Sequence, residues 1–546
     1  METPRGAFVG RERELAELAA GLEDAFAGRG RLFLLEGEPG IGKSRLAEEL
    51  AAQAHARGAA VLVGRCWEAG GAPAYWPWMQ SLRGYVRESD AAALGAQLGA
   101  GAPDLAQLVP ELRQRFPDLP PPSPVEPEGA RFRLFEGIVE FLRNAGEHRP
   151  LVLVLDDLHA ADAPSLLVLR FLARELGSTR LLVLGAYRNV DPLPRQPLTE
   201  MFGEVAREPV TRRLSLGGLS ESDVAEYLQL AASNLASPQL AAALHGQTEG
   251  NPLFVGEIVR LLSVEGGLSE SPDGPRMMVP QSVRDVIARR LTHLSQESNR
   301  VLVLASVLGR EFSLEVLARL GDVSEDELLD WLDEAVDARV VSDVPGSPGR
   351  LRFAHVLIRD TLYNGLTSAR RLRLHELVVT ALERLNNERP GSHLADLAHH
   401  AIAAGEHDMG LRYARQAAAR ALEQLAYDEA ARLFQLALQA LAMQPPVEPA
   451  ARCELLLAGG DALAKAGSVA EAKATFLAAC DLARTARLPE TFARAALGYA
   501  GNPGWQRAGG DSRLVPLLEE ALTVVGEDGS ILRARLLARL AGALRD

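Results

Sequence analysis

Residues 31–50 read RLFLLEGEPGIGKSRLAEEL, and this stretch decides the fold of the first part of the chain. The apolar run 32–35 predicts a buried strand, 37–44 is a complete G-x-x-x-x-G-K-S loop, and 44–54 consists of good helix formers. Strand, loop and helix in this order are typical of a phosphate-binding loop, whose backbone N–H groups and helix N-terminus face the phosphates. The alternative is a glycine-rich turn that matches by chance, and the flanking strand and helix argue against it.

The loop predicts a nucleotide-binding role for six residues, which are Gly37, Gly40, Gly42, Lys43, Ser44 and Arg45. The glycines allow the backbone to turn inward, Lys43 reaches the β- and γ-oxygens, and the Ser44 hydroxyl can ligate Mg²⁺. Of the 58 basic residues only three are lysines, at positions 43, 465 and 473. A compact ammonium at position 43 fits between phosphates where a planar guanidinium would not, which supports the assignment.

The composition excludes several classes of protein. A chain of 546 residues holds several domains, and its net charge of −14 argues against a general nucleic-acid-binding surface. Its three cysteines, Cys66, Cys453 and Cys480, cannot form a disulfide framework, so they indicate a reducing compartment. No apolar run approaches the roughly 18 residues of a membrane span, and the N-terminus lacks the apolar core of a signal peptide. We therefore predict a cytoplasmic protein with no membrane contact.

A second apolar run, 151–155, ends in the carboxylates Asp156 and Asp157. This is the pattern of a central parallel strand whose carboxyl end meets a ligand. Asp156 is expected to hold the Mg²⁺ shell, and Asp157 to orient or deprotonate the attacking water. An acidic pair that caps a helix is the alternative.

Three further strands complete the predicted sheet. Segments 60–64, 181–186 and a stretch near 213–216 give a parallel sheet of about five strands. Arg188 follows the second of these, so by the rule that ligands sit at the carboxyl ends of parallel strands it is placed to sense the γ-phosphate. A surface arginine is the alternative.

Two segments between the strands carry unusual composition. Three of the five tryptophans lie between residues 67 and 78, and the cluster 74–78 predicts a packed hairpin or loop, or else a ligand-facing aromatic wall. The proline-rich segment 116–129 is expected to form neither a helix nor a central strand, and a helix is predicted over 130–145.

Helices are predicted after the sheet, from a capping box at Ser220–Asp223 onward. The segment 250–257 reads GNPLFVGE, and its Pro252 sits at a helix start. Its ring either faces the adenine base or only starts the helix without contacting a ligand.

From residue 280 the pattern predicts a winged helix. Its helices are expected at 297–308, 313–320 and 324–337, and its wing strands at 340–344 and 350–353, joined by a turn over 345–349. Because this module lies between an ATPase and a solenoid, we favour a structural role over DNA binding. His355, just after the second wing strand, either touches the nucleotide phosphates or is a packed or capping histidine.

After about residue 390 the chain is helical, alanine-rich and repetitive. Equivalent triplets stand 42 residues apart, at Ala430, Phe434 and Ala437, at Ala472, Phe476 and Ala479, and at Leu514, Leu518 and Ala521. This small-large-small spacing is typical of tetratricopeptide-like pairs, although their usual period is about 34 residues. Segment 531–545 reads as the first helix of another pair, so the chain is either a fragment or meets a partner there. The histidines at 393, 399, 400 and 407 are not expected to bind a metal.

The fold class predicted from these patterns is an α/β P-loop NTPase with a parallel sheet, followed by a helical lid, a winged helix and an all-α, tetratricopeptide-like solenoid. The predicted boundaries are 1–218, 219–279, 280–385 and 386–546.

The ordered set of motifs resembles the STAND class of P-loop ATPases. It is most similar to the N-terminal part of the large ATP-binding LuxR-type transcriptional regulators and of their adenylate-cyclase-associated relatives. The resemblance covers residues 8 to about 540 and is carried by segments 9–12, 37–44, 151–157, 185–188, 250–254 and 353–359, with Arg370, Arg371 and His375.

The resemblance implies a switch between ADP and ATP, with Mg²⁺ as cofactor. It implies that Arg11 and Pro252 frame the adenine, that Arg188 reads the γ-phosphate, and that His355 supports a closed ADP state. It also implies a protein or small-molecule inducer at the helical repeats and nucleotide-dependent self-association. The LuxR-type regulators end in a DNA-reading helix-turn-helix, which nothing after residue 520 supplies, nor is a cyclase domain seen.

Three functions remain open from the sequence. The first is a signalling ATPase that hydrolyses ATP slowly. The second is a fast ATPase or phosphotransferase with a substrate in the aromatic insert around Trp76. The third is a binding scaffold whose repeats act on partners and whose nucleotide is structural.

Overall fold

The computed structural model describes residues 8–66, 73–123, 127–188, 196–231, 237–264, 291–292, 294–321, 324–338, 340–344, 347–388, 391, 393–444, 448–501, 511–526 and 530–544. Trp67, the predicted boundary at 279/280, Pro345 and Arg545 lie outside these ranges. The chain divides into two compact units, and the main division falls between Leu374 and His375. The four predicted domains and the three boundaries between them remain predictions.

The first unit is built on a five-stranded sheet. Its strands are β1 (Arg31–Glu36), β2 (Ala60–Arg65), β3 (Leu151–Asp156), β4 (Leu181–Tyr187) and β5 (Thr211–Ser215). They are ordered β2-β3-β4-β1-β5, and every neighbouring pair is parallel. The predicted parallel P-loop sheet is therefore confirmed.

Burial explains this arrangement. All six residues of β3 and all seven of β4 are buried, as expected for the central strands of a sheet that is covered on both faces. Strand β5 buries only one of its five residues and forms an edge. Arg65 pairs with Asp156, and Glu36 with Tyr187, so the carboxyl ends of the strands meet at one edge of the sheet.

Helices precede and separate the strands of this sheet in the sequence. They are α1 (Glu12–Phe26), α2 (Lys43–Ala56), α3 (Trp76–Glu88), α4 (Ala91–Gln97), α5 (Ala102–Leu108), α6 (Glu111–Arg115), α7 (Pro127–His148), α8 (Ala163–Glu175) and α9 (Gln196–Val205), with short 3₁₀ turns at Leu158–Ala160 and Leu176–Ser178.

Two expectations about the insert are wrong. Trp76 begins α3, so the end of the aromatic cluster is helical and forms neither a hairpin nor a loop. Tyr75 and Trp78 are fully buried, and Trp78 Nε1 donates to the Ser165 carbonyl at 3.1 Å, which makes these two rings part of the core. Helix α7 begins at Pro127, inside the segment expected to exclude helix, because proline is tolerated in the first turn.

Three helices follow the sheet, α10 (Glu221–Ala231), α11 (Pro238–Thr248) and α12 (Pro252–Val264). They share a small apolar core that includes Val224, Leu244 and Val255 and also takes in Val9 from the N-terminal segment. The predicted capping box is present, since Ser220 N donates to Asp223 Oδ2 at 2.8 Å and Asp223 N donates to Ser220 Oγ at 3.2 Å.

The last part of the first unit combines helices with a small antiparallel sheet. Its elements are α13 (Gln296–Leu308), β6 (Glu311–Ser313), α14 (Leu314–Gly321), α15 (Glu325–Asp337), β7 (Val341–Asp343), β8 (Arg350–Phe353) and α16 (Val356–Asn364). The sheet order is β6-β8-β7. Strand β6 was not predicted, and residue 313 belongs to it rather than to the following helix. The elements suit a winged helix, and that identification stays a prediction.

The C-terminal part of the chain is helical. Its helices are α17 (Ser368–Glu388), α18 (Leu394–Ala403), α19 (His407–Glu423), α20 (Tyr427–Ala442), α21 (Pro449–Ala466), α22 (Val469–Thr485), α23 (Pro489–Ala500), α24 (Leu514–Val525) and α25 (Ile531–Ala543). The three predicted triplets lie on α20, α22 and α24, and all nine side chains are buried. The tetratricopeptide-like repeat pattern is confirmed, with every second helix supplying equivalent core residues.

Two absences concern only the described ranges. There, no helix combines the length and apolar character that crossing a membrane requires. Nor is any group of three His, Cys, Asp or Glu side chains in these ranges arranged to hold a metal ion. The Nδ1 atoms of His375 and His400 lie 2.8 Å apart and form a hydrogen bond within the second unit.

Candidate functional site

The loop between β1 and α2 has the backbone shape of a phosphate cradle. Gly37, Gly40 and Gly42 adopt φ values of 156°, 82° and 103°, which residues other than glycine rarely adopt. At Gly40 the surroundings exclude a side chain as well, because a Cβ there would lie 2.9 Å from Leu253 Cβ and 3.0 Å from Asn251 Oδ1. The loop is therefore folded tightly against the start of α12.

Lys43 is the first residue of α2 and is buried within this loop. Its Nζ donates to the carbonyl oxygens of Gly37 and Glu38, both at 2.8 Å. Burial lowers the pKa of the ammonium to about 8, although the negative charges of Asp157 and Asp156 act in the opposite direction. The group is thus a cation at neutral pH that is held inside the cradle.

Ser44, in the first turn of α2, contacts Asp156, the last residue of β3. Ser44 Oγ donates to Asp156 Oδ2 at 2.8 Å, which brings one hydroxyl and one carboxylate oxygen together beside the cradle. Mg²⁺ prefers oxygen ligands and is usually held by one or two protein groups, with phosphates and waters completing its shell. These two side chains therefore fit the predicted Mg²⁺ position.

Asp157 follows Asp156 in a left-handed conformation, with φ 56°. Its backbone N–H donates to Asp156 Oδ1 at 3.0 Å, so the turn fixes the neighbouring carboxylate. Its own carboxylate accepts a hydrogen bond from Arg310, which stands just before β6. The acidic pair is thus an organised part of the site, as the sequence predicts, while the chemical roles of the two residues stay predictions.

Arg188 and His355 belong to the same neighbourhood. Burial, together with the smaller effect of the positive charges of Arg310, Arg188 and Lys43, lowers the pKa of His355 to about 3. His355 is therefore a neutral, buried imidazole among cations, in agreement with a place beside the phosphates. Arg188 directly follows β4, where the sequence places it.

Arg11 and the segment around Pro252 contact the backbone near the cradle. Arg11 Nη2 donates to the carbonyl of Ile41 at 3.1 Å and to that of Gly217 at 2.5 Å. Pro252 begins α12, and the preceding Asn251 donates from Nδ2 to the Pro39 carbonyl at 3.1 Å. Their predicted role as neighbours of the adenine remains a prediction.

Arg45, which the motif also assigns to nucleotide binding, contacts Glu49 and Phe8. Its Nη2 lies 3.4 Å from Glu49 Oε2, and its guanidinium lies 5.6 Å from the centre of the Phe8 ring. Neither contact joins it to Lys43 or Ser44, and its binding role stays a prediction.

Sequence reasoning missed four residues of the site, which are Arg65, Asn251, Arg310 and Arg352. The rule used for Arg188 would have found Arg65, since it ends β2 and pairs with Asp156. Asn251 stands directly before a helix-starting proline, a position that favours a side chain able to bond the backbone. Arg310 and Arg352 carry no local signal, because their partners lie far away in the sequence.

Comparisons with known proteins agree with this geometry. Residues 7–184 match the AAA ATPase domain family. A curated relative, the uncharacterized protein R02095 of Rhizobium meliloti (strain 1021), is 26% identical over 422 residues, which cover 73% of this chain and 39% of that protein. This chain thus spans well under half the length of that relative. The resemblance predicted from the sequence is confirmed for the ATPase domain.

Two solved structures are also similar to the chain. One is the STAND protein with a tetratricopeptide repeat sensor, PH0952, from Pyrococcus horikoshii, with 15% identity, a TM-score of 0.46, and coverage of 98% of this chain and 74% of that one. The other is the Aeropyrum pernix ORC1 protein in complex with DNA, with 17% identity, a TM-score of 0.30, and coverage of 67% and 95% respectively.

Proposed function

We propose that this chain, whose residues 7–184 match the AAA ATPase domain family, is an adenine-nucleotide switch of the STAND kind that hydrolyses ATP slowly. One observation carries the proposal. Lys43, Ser44, Asp156 and Asp157 come together at the carboxyl ends of β1 and β3, within the electrostatic neighbourhood of Arg188 and His355.

The cradle would bind the β- and γ-phosphates. Lys43 donates to loop carbonyls and is placed to exchange these bonds for phosphate oxygens. Ser44 and Asp156 are the residues that would hold Mg²⁺, which when bound neutralises phosphate charge. Because burial strengthens these interactions, a few side chains suffice for tight binding.

The γ-phosphate end would distinguish ATP from ADP. Asp157 would orient the attacking water or accept its proton, and Arg188 would contact the γ-phosphate. His355, being neutral, offers one N–H donor to a phosphate without adding charge. We assign it to the closed, ADP-bound state.

The energy of such a switch is within reach of these residues. Moving a two-state equilibrium from 1:99 to 99:1 needs roughly 5.5 kcal/mol of differential binding. Hydrogen bonds to charged groups contribute about 1.5–3 kcal/mol each, so two or three contacts to the γ-phosphate are enough.

The helical repeats would supply the regulatory input. We assign a protein or small-molecule inducer to them, nucleotide-dependent self-association to the ATP state, and transcription or another signalling output to the whole protein. The three free, buried cysteines suit the reducing cytoplasm where we place this activity.

Two rings of the insert do not favour the alternative of a fast enzyme with a substrate around Trp76, which is itself half-buried. Tyr75 is fully buried and Trp78 nearly so, and both are engaged in packing, so they do not form a ligand-facing wall. A variant that cannot bind nucleotide distinguishes the proposed switch from the scaffold alternative. A scaffold would still bind its partner after loss of the nucleotide.

Titration with Mg-ATP and Mg-ADP tests the proposal directly. Wild type is expected to bind both nucleotides at one site, and Lys43→Ala to bind neither. Lys465→Ala, which changes a lysine in the last turn of α21, is the matched control and should bind like wild type. Equal binding by wild type and Lys43→Ala would refute the proposal.

A further inference from the structure

Arg310, directly before β6, contacts the acidic end of β3, and Glu311, the first residue of β6, contacts Arg65 at the end of β2. Arg310 Nη1 donates to Asp157 Oδ2. Glu311 Oε1 lies 3.7 Å from Arg65 Nη1, and Arg65 Nε lies 3.9 Å from Asp156 Oδ2. Each carboxylate of the acidic pair is thus linked through an arginine to the same short strand.

Four of these five charged groups are almost fully buried, whereas the Arg310 side chain is 19% exposed. Asp157, the most exposed of the group Arg65, Asp156, Asp157 and Glu311, is only 9% exposed. Arg65 Nε and Nη1 make no hydrogen bond among the described residues. The guanidinium charge is thus close to two carboxylates, while these two N–H donors have no acceptor. Buried donors without acceptors are costly, so a rearrangement that brings an acceptor to these two Arg65 donors would be favoured.

Strand β8 extends the same polar contact. Arg352 Nη2 lies 3.4 Å from Glu48 Oε1 of α2, and the Arg350 guanidinium lies 5.4 Å from the centre of the Trp76 ring. The small sheet thus meets the ATPase domain through ion pairs and a cation–π contact.

From this geometry, and resting on the function proposed above, we infer that Arg310 is a positioning residue that holds Asp157 in a latched, inactive state. A carboxylate that accepts a hydrogen bond from a guanidinium has that oxygen turned toward its partner rather than toward a water. Asp157 therefore acts only after the Arg310 contact opens. Glu311 and Arg65 form the second branch of the latch, which acts on Asp156.

The latch predicts an unusual sign for the effect of a mutation. Removing an arginine that contacts the phosphate would lower the affinity of the protein for ATP. Removing a latch instead favours the open state, so Arg310→Ala should bind ATP more tightly and hydrolyse it faster than wild type. An effect of roughly five- to tenfold in each quantity is expected, at the lower end of the range for coupled sites.

A double-mutant cycle tests whether the effect passes through Asp157. Nucleotide affinity is measured by titration for wild type, Arg310→Ala, Asp157→Asn and the double variant. If Arg310 acts through Asp157, its removal should change ATP affinity much less in the Asp157→Asn background. Full additivity would overturn the latch.

Two further variants guard against misfolding and nonspecific charge effects. Glu311→Gln breaks only the second branch and should shift ATP affinity in the same direction by a smaller factor. Arg319→Ala removes an arginine that pairs with Glu315 on its own helix, so it should match wild type.

The outcomes separate the two proposals. Absence of ATP binding by wild type would refute the proposed function itself. Normal binding by wild type and Arg319→Ala, together with unchanged or weaker ATP binding by Arg310→Ala, would overturn the latch and leave the nucleotide switch standing.

Discussion

Asn251→Ala is expected to weaken nucleotide binding without touching any residue of the phosphate-binding motif. The Asn251 side chain is buried and holds the cradle against α12 through two bonds. Its Nδ2 donates to the Pro39 carbonyl at 3.1 Å, and its Oδ1 accepts from the Leu253 N–H at 3.2 Å. A backbone bond from Leu253 N to the Gly40 carbonyl, at 3.3 Å, remains in the variant.

The size of the effect follows from these two bonds. Each side-chain hydrogen bond contributes about 1 kcal/mol net, so the ordered cradle loses about 2 kcal/mol relative to looser arrangements. If nucleotide binds only the ordered cradle, this loss decreases the affinity by up to roughly 30-fold.

Titration of Mg-ADP into wild type and variant measures this decrease, and thermal unfolding checks that the fold survives. The matched control is Asn144→Ala, which removes a similar side-chain bond to the Gln97 carbonyl, at 3.0 Å, between α7 and α4. That variant should lose about 1 kcal/mol of stability, for its one bond, and keep its affinity. Wild-type affinity in Asn251→Ala, or an equal loss in both variants, would refute the reasoning.

Three other variants have defined outcomes. Arg188→Ala should still bind ATP but lose ATP-driven assembly, as followed by solution mass, and normal assembly would exclude its role as a sensor. The pKa of His355 falls from about 6.5 to about 3 on folding, so between these pH values only the unfolded state binds the proton. Wild type should therefore lose about 1.4 kcal/mol of stability per pH unit below pH 6.5 relative to His355→Gln, as measured by unfolding at pH 7 and 5.5. Parallel pH profiles of the two proteins would contradict this. Gly498→Ala places a Cβ 2.3 Å from the Phe476 ring and should cost about 1–3 kcal/mol in thermal unfolding, whereas Gly542→Ala, with its nearest neighbour at 3.6 Å, should be close to neutral.

The parts of the fold that could be predicted from sequence depend on local patterns. Strands β1, β3 and β4 are continuous apolar runs, and the glycine loop between β1 and α2 has a fixed spacing. The repeat helices were recognisable because equivalent core residues recur at one spacing. These signals need no knowledge of distant contacts.

The parts that could not be predicted depend on contacts between distant segments. Arg310 follows an ordinary helix, and only the folded chain brings it to Asp157. Strand β6 has three residues and is stabilised by pairing with β8, so no local periodicity indicates it. The rings of Tyr75 and Trp78 could have faced a ligand or the core, and tertiary packing decides for the core.

The segment around Pro252 was located correctly from the sequence, but the residue whose side chain contacts the cradle, Asn251, was not identified. The helix-starting proline at 252 was predicted, yet the bonds to the cradle come from the neighbouring asparagine. A proline start is visible in sequence because it restricts the backbone, whereas the acceptor of an amide side chain is known only after folding.

Amide hydrogen exchange under saturating Mg-ADP and under a saturating non-hydrolysable Mg-ATP analogue tests the central claim most directly. The account predicts that both nucleotides protect the cradle at 37–44, and that segments 309–313 and 350–355 exchange faster with the ATP analogue than with ADP. Identical exchange in these segments with both nucleotides bound would contradict a nucleotide-controlled switch.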